Sequence, residues 1–133
     1  KVVSSLCDAG IIPVIAPVAR DKAGGKLNVN ADSAAGMVAA ACEAEKLVMV
    51  SDTHGILQDI NDASSTISSL DEDKIKKMID AEIITGAMFP KVEACLTALD
   101  HGVKKAHIID GRIPHSLLLE IYTQSGIGTE IIR

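Results

Sequence analysis

Two short apolar runs, Leu47-Val48-Met49-Val50 and Ala106-His107-Ile108-Ile109, stand in line with segments of helical period, and this constrains the fold more than any other feature of the 133 residues. Runs of this length suit strands buried on both faces, as parallel strands under crossover helices are. The helical segments follow the same logic. Asn30 or Asp32 caps a helix through about Ala44, whose small residues (Ala34, Ala35, Gly36, Ala39, Ala40, Ala41) permit close packing on a sheet. Asp71 starts a helix with Ile75, Met78 and Ile79 on one face; Pro90 lies in the first turn of another that runs to Asp100 and stops at Gly102. His115 to about Thr123 forms the last, with Leu118, Leu119 and Tyr122 among its apolar positions. The expected fold is α/β in one domain, a mostly parallel sheet with helices on both faces.

The first thirty residues read differently. Lys1 to Gly10 has the look of the later turns of an amphipathic helix closed by a glycine, without an initiator methionine or signal peptide, so further chain is expected ahead of it. Ile11-Ile12-Pro13-Val14-Ile15-Ala16 has strand length, and Pro13 places it at an edge or a strand start. Val18 to Val29, built around Asp21-Lys22-Ala23-Gly24-Gly25-Lys26, reads as a hairpin or long loop.

Composition removes several classes of function. A net charge of −5 with 23% charged and 47% hydrophobic residues is that of a soluble globular domain, and nucleic acid is not an expected partner. No apolar run approaches the roughly 20 residues needed to cross a bilayer, because Glu43, Glu45 and Lys46 break the alanine-rich stretch before Leu47, so no membrane association is expected. Cys7, Cys42 and Cys95 are odd in number, with no Cys-x-x-Cys pair and no histidine at zinc-finger spacing. Reduced thiols in a cytosolic fold, and no protein-built metal site, are the expectation.

In parallel sheets ligands bind beyond the carboxyl ends of the strands, so the loops there carry the chemistry. Ser51-Asp52-Thr53-His54-Gly55-Ile56-Leu57 offers a hydroxyl, a carboxylate and a glycine to a nucleotide, or else an Asx turn at Asp52 with a positive φ at Gly55. Ile83-Ile84-Thr85-Gly86-Ala87-Met88-Phe89-Pro90-Lys91 joins two helices and leaves backbone N–H groups at a helix start, where anions bind. Lys91 is unusual there, since the helix dipole disfavours a cation at that end unless a negative ligand compensates; the plainer alternative is a pair with Glu93 or Asp80. Asn28, Asn30 and Asp32 alternate, so an extended segment would put all three on one face toward a polar substrate, whereas a helix cap would need only one of them. Asp32 is also suited to holding a lysine by a charge-assisted hydrogen bond. Neither the Gly-x-x-x-x-Gly-Lys-Ser/Thr phosphate loop nor the protein-kinase signature set is present.

Five ordered motifs carry a resemblance: Gly-Ile-Ile-Pro-Val-Ile-Ala-Pro at 10–17, Asn-Val-Asn-Ala-Asp-Ser-Ala-Ala at 28–35, Ser-Asp-Thr-His-Gly-Ile-Leu at 51–57, Thr-Gly-Ala-Met-Phe-Pro-Lys-Val-Glu-Ala at 85–94 and His-Ile-Ile-Asp-Gly-Arg-Ile-Pro-His at 107–115. Over essentially its whole length the chain resembles the C-terminal, ATP-binding lobe of the acetylglutamate kinases, in the amino acid kinase family with its carbamate kinase-like fold. The resemblance implies transfer of the γ-phosphoryl group of ATP, with Mg2+ held mainly by the nucleotide phosphates, to the side-chain carboxylate of N-acetyl-L-glutamate in arginine biosynthesis. It also implies roles for residues. Lys91 and Asp32 would be catalytic, Lys91 neutralising charge on the transferring group and Asp32 orienting lysines; Asn28 and Asn30 would bind substrate. Ser51, Asp52, Thr53, Gly55, Ile56, Leu57, Ile83, Ile84, Thr85, Gly86 and Met88 would line the nucleotide. His107, Glu120 and Gly126 match the branch with an arginine effector site; otherwise His107 is a core histidine and Glu120 a solvent-facing helix residue. An N-terminal lobe with the remaining catalytic groups is expected elsewhere, so the chain alone should not turn over. A cytoplasmic location, or the plastid in a eukaryote, a homo-oligomer at full length and docking of a PII-type signalling protein complete the implied picture. The competing readings are a relative acting on another amino acid or on carrier-bound aminoadipate, and a non-catalytic module that binds arginine or nucleotide.

Overall fold

The computed structural model describes residues 1–123 and 126–133. In chain order it has α1 (Val2–Asp8), β1 (Val18–Arg20), β2 (Lys26–Asn28), α2 (Ala31–Ala41), β3 (Lys46–Ser51), β4 (Ser69–Asp71), α3 (Glu72–Asp80), α4 (Met88–Asp100), β5 (Lys105–Asp110), α5 (Ser116–Tyr122) and β6 (Thr129–Ile132). Four strands form one sheet in the order β3-β5-β6-β4. The β3/β5 and β4/β6 pairs are parallel and the β5/β6 pair is antiparallel, so the sheet is mixed and mostly parallel. In β5 every residue from Ala106 to Asp110 is buried. Alternation explains this: Ala106 and Ile108 enter the core shared with α2, α3 and α4, while His107 and Ile109 face the opposite side, where α5 brings Glu120 onto His107. Helices do cover both faces.

α4 is held by its apolar stripe. Val92, Cys95 and Ala98 are wholly buried and Leu99 nearly so, at the three- and four-residue spacing that places them on one helical face. Burial of Val92 and Leu99 contributes on the order of 2 kcal/mol each, which sets the scale against which polar contacts in this region count. Against α4 lies α2, and the contact is close because Gly36 has no side chain: a Cβ there would stand 2.7 Å from the Ala94 carbonyl oxygen. The helix caps follow sequence. Asn30 Oδ1 accepts from the Ser33 N–H at 3.0 Å to start α2, and Asp71 Oδ1 from the Lys74 N–H at 2.8 Å to start α3.

Three expectations are corrected. Ile11–Ala16 is not a strand: it crosses the surface without a ladder partner among the described residues, with Ile12 88% and Val14 96% exposed. A strand needs a neighbour to take up its backbone groups, and apolar character cannot supply one. Asn28, Asn30 and Asp32 do not share an extended face, because Asn28 ends β2, Asn30 is the helix cap and Asp32 already lies in the first turn of α2. On α5, Leu118 and Tyr122 stand exposed rather than packed. Around Gly24 and Gly25 the hairpin forms as anticipated, with Val18 paired to Asn28 and the Gly25 N–H donating to Asp21 Oδ1 at 2.7 Å.

Candidate functional site

The parallel strands β3 and β5 end side by side, Ser51 opposite Asp110, and the loop from Ser51 to Leu57 leaves from that edge. The Gly111 N–H donates to the Ser51 carbonyl at 2.7 Å, tying the two strand ends together. Within the loop, Ser51 Oγ donates to Asp52 Oδ1 at 3.3 Å, and Gly55 has a φ of 107°. Asp52 is exposed, and Thr53 Oγ1 is buried without a hydrogen-bond partner among the described residues. Ile56 is 1% exposed and Ile84 2%, so these two belong to the core and can offer a ligand only their backbone.

Sequence reasoning missed a cluster at this edge. Asp110, its side chain 2% exposed, accepts from the Arg112 backbone N–H at 2.9 Å and from Arg112 Nε and Nη2 at 2.9 and 2.7 Å, with His54 Nδ1 3.0 Å away. Hydrogen bonds from Arg112, above all from its side chain, pull the Asp110 carboxyl from 3.8 down to about 2. A carboxyl lowered on folding stabilises the protein above its ordinary value and loses that contribution as pH falls through its folded value. Asp110→Asn is therefore expected to lower the melting temperature above pH 3.8, with the gap to wild type closing as pH drops toward about 2. Melting curves across that interval check this; a pH-independent gap would contradict it. The overlooked signal was Asp-x-Arg directly after a strand end.

α2 and α4 bring Asp32 and Lys91 together. Lys91 Nζ donates to Asp32 Oδ2 at 3.0 Å and to Oδ1 at 3.3 Å, with the two side chains 23% (Asp32) and 18% (Lys91) exposed. The cation near the start of α4 is thus answered by Asp32, and neither Glu93 nor Asp80 is its partner. For an ion pair about four-fifths buried the attraction is largely offset by desolvation of both charges, so apolar burial of residues such as Val92 and Leu99, and not the pair, holds the helices together. The pair aims an ammonium group. Cys95, adjacent in the core, has its thiol pushed up to about 12 by burial, with Asp32 adding to the rise and Lys91 opposing it. That thiol stays protonated and plays no nucleophilic part. Asn28 is exposed at the end of β2, and the Asn30 side chain is engaged as the helix cap.

Two cavities collect further residues. One, of about 720 Å³, is lined by Ile83 and Thr85 together with Gln58, Asp59, Ser65 and Glu82, so the 83–85 loop opposes the continuation of the 51–57 loop. Gly86 and Met88 follow, Gly86 exposed with a φ of 55° and Met88 packed on the core. The second, of about 530 Å³, unites His107, Glu120 and Gly126 with Lys46, Lys105 and Glu130. Glu120 is not solvent-facing. Its Oε1 accepts from His107 Nδ1 at 2.6 Å, and its Oε2 accepts from the Ile127 and Gly128 N–H groups at 2.7 and 3.2 Å. His107 Nε2 has no hydrogen-bond partner among the described residues and lies 4.0 Å from Glu130 Oε1. Glu130 itself pairs with Lys105 Nζ at 2.7 Å, which holds its carboxyl below the usual range. Among the described residues no group of three His, Cys, Asp or Glu side chains could hold a metal, and no helix is long and apolar enough to cross a membrane.

Residues 1–110 match the family model described as the amino acid kinase family. The chain belongs to that family. Relatives within it include the acetylglutamate kinase of Acaryochloris marina, 51% identical over 131 residues, 98% of this chain and 46% of that protein. The acetylglutamate kinase of Methanococcus vannielii is 50% identical over 133 residues, 100% of this chain and 45% of that protein. The chain thus spans less than half the length of the curated family members it matches. Among solved structures, N-acetylglutamate synthase from Neisseria gonorrhoeae complexed with coenzyme A and L-arginine superposes with a TM-score of 0.88 at 27% identity, over 98% of this chain and 30% of that one. Carbamate kinase from Giardia lamblia bound to AMP-PNP superposes with a TM-score of 0.73 at 17% identity, over 98% of this chain and 43% of that one, which shows a shared fold.

Proposed function

We propose that this chain is the nucleotide-binding lobe of an acetylglutamate kinase, and the observation that carries the reading is the Asp32–Lys91 pair. An ammonium held by two oxygens of a partly buried carboxylate is a preset counter-charge, and phosphoryl transfer needs little else from a protein beyond positioning and charge stabilisation. In the reaction a carboxylate oxygen of N-acetyl-L-glutamate forms a bond to the γ-phosphorus of ATP. The bond from that phosphorus to the β–γ bridging oxygen breaks, leaving an acyl phosphate and ADP. Lys91 faces the charge gathered on the transferring group and Asp32 keeps it there; Asn28 and Asn30, just ahead of Asp32 along the chain, serve the acetylated substrate. Mg2+ is assigned to the nucleotide phosphates and supplies charge neutralisation when bound.

The nucleotide is assigned to the Ser51–Leu57 loop and the cavity lined by Ile83, Thr85, Gln58, Asp59, Ile60 and Ser65. A volume of about 720 Å³ accommodates a nucleotide, and the partnerless Thr53 hydroxyl is a polar group that a ligand or a loop adjustment would satisfy. The N-terminal lobe is assigned to the Ile11–Val18 surface. Ile11, Ile12, Val14, Ile15 and Val18 are all exposed there, an apolar strip that a second lobe would cover. The reading includes cytoplasmic location and a homo-oligomer at full length.

The cavity holding His107, Glu120, Gly126 and Glu130 supports a second assignment, an arginine effector site, in which a guanidinium would compete for Glu130 with Lys105 and for Glu120 with His107 and the 127–128 backbone. The synthase from Neisseria gonorrhoeae, similar across this chain, was solved with L-arginine. Calorimetric titration of the chain with MgATP tests the main reading. Saturable binding is expected, and Lys91→Ala should weaken it about tenfold, as loss of a charge-assisted contact does. Absence of binding by the wild-type chain would overturn the nucleotide assignment, and unchanged binding by Lys91→Ala would overturn the role of Lys91.

A further inference from the structure

Ile56 is wholly buried in the loop that follows β3, and its backbone is bound from two directions. Its N–H donates to Thr129 Oγ1 at 2.8 Å, across 73 residues of sequence, and its carbonyl accepts from the Ile67 N–H at 2.9 Å. Gly55 completes the junction: a Cβ there would stand 2.8 Å from Thr129 Oγ1 and 3.1 Å from the Thr129 nitrogen, so the loop rides directly on the start of β6. Two residues before Ile56, His54 Nδ1 lies 3.0 Å from Asp110 Oδ2.

Thr129 is 0% exposed. At a buried position in a strand, valine has the same shape and avoids removing a hydroxyl from water, a cost that only a hydrogen bond offsets. The bond that offsets it here goes to the Ile56 N–H. The strand itself does not require the hydroxyl, because Thr129 pairs with Ile108 through the backbone.

We propose that Thr129 is a positioning residue for the nucleotide loop, fixing Ile56 so that the Asp52–Gly55 arch keeps its ligand-binding shape. This rests on assigning the nucleotide to that loop. It adds that the loop's geometry is set from β6, outside the residues that line the ligand. The same strand start follows directly on Ile127 and Gly128, whose N–H groups are held by Glu120, so the loop is registered to the wall of the second cavity as well.

The test uses the 133-residue chain with Thr129→Val, Thr129→Ser and Thr129→Cys, titrated with MgATP, alongside amide exchange at Ile56 and melting temperature. Thr129→Val is expected to weaken MgATP binding about tenfold and to speed Ile56 exchange, as loss of one buried hydrogen bond implies. Thr129→Ser keeps the acceptor and should return both readouts to near wild type. Thr129→Cys, close to serine in size with a weak acceptor, should behave like valine and supplies the contrast if the valine chain fails to fold. Wild-type affinity in both Thr129→Val and Thr129→Cys overturns the proposal. So does weakening in Thr129→Ser that follows melting temperature with no change in Ile56 exchange. If the wild-type chain does not bind MgATP, the nucleotide reading fails and this inference with it.

Discussion

Lys91→Ala, in a chain completed by the N-terminal half of a related acetylglutamate kinase, is expected to lower turnover about 10²–10³-fold while the requirement for N-acetyl-L-glutamate changes little. That magnitude follows from removing one group aimed at charge developing in the transition state. The protein should still fold, at a stability cost from leaving the Asp32 carboxylate unpaired, because the buried stripe of α4 is intact. Asp32 acts through Lys91 in this account. Asp32→Ala should therefore also depress turnover, and the double substitution should be no worse than Lys91→Ala alone, since residues in one contact are not additive. Steady-state kinetics with melting curves check all three; equal and multiplying losses would separate the two residues.

Gly36→Ala is expected to destabilise the chain by about 1–3 kcal/mol, the usual cost of forcing an extra methyl into a packed contact. Its Cβ would be set 2.7 Å from the Ala94 carbonyl oxygen, and backbone cannot swing aside as a side chain can. α2 and α4 must separate. Asp32 precedes Gly36 by one helical turn and Lys91 precedes Ala94 by just under one, so the same separation lengthens the Asp32–Lys91 contact. A single methyl should thus lower both denaturant midpoint and nucleotide affinity. Unchanged affinity in a folded, destabilised Gly36→Ala chain would show that the crossing does not set the pair.

How far the sequence reveals this arrangement depends on where each signal resides. β3 and β5 were legible as strands from their continuous apolar runs, although only β5 is buried on both faces: β3 is an edge strand with Leu47 and Met49 buried and Val50 exposed. α3 was legible from its apolar face and α4 from Pro90 in its first turn and Gly102 after its end. β4 and β6 were not. They have three and four residues, and of the deeply buried Leu70, Thr129 and Ile131 only two are apolar, one in each strand, too little to show a period. Ile11–Ala16 failed for the opposite reason: its composition is that of a strand, but pairing is a property of a neighbour. At the site, Lys91 stood out by its place near a helix start, yet its partner lies 59 residues away and no local pattern could select Asp32 over Glu93 or Asp80. Asp110 and Arg112 stand in one motif and His54 in another, more than 50 residues apart, and only the register of β3 against β5 brings His54 to Asp110.

The most direct measurement joins the N-terminal half of the Acaryochloris marina enzyme ahead of Lys1 and follows ADP release from MgATP. The account predicts release that depends on N-acetyl-L-glutamate and nearly disappears with Lys91→Ala. A folded chimera that releases no ADP in response to N-acetyl-L-glutamate, under conditions where the Acaryochloris marina enzyme does, would contradict it.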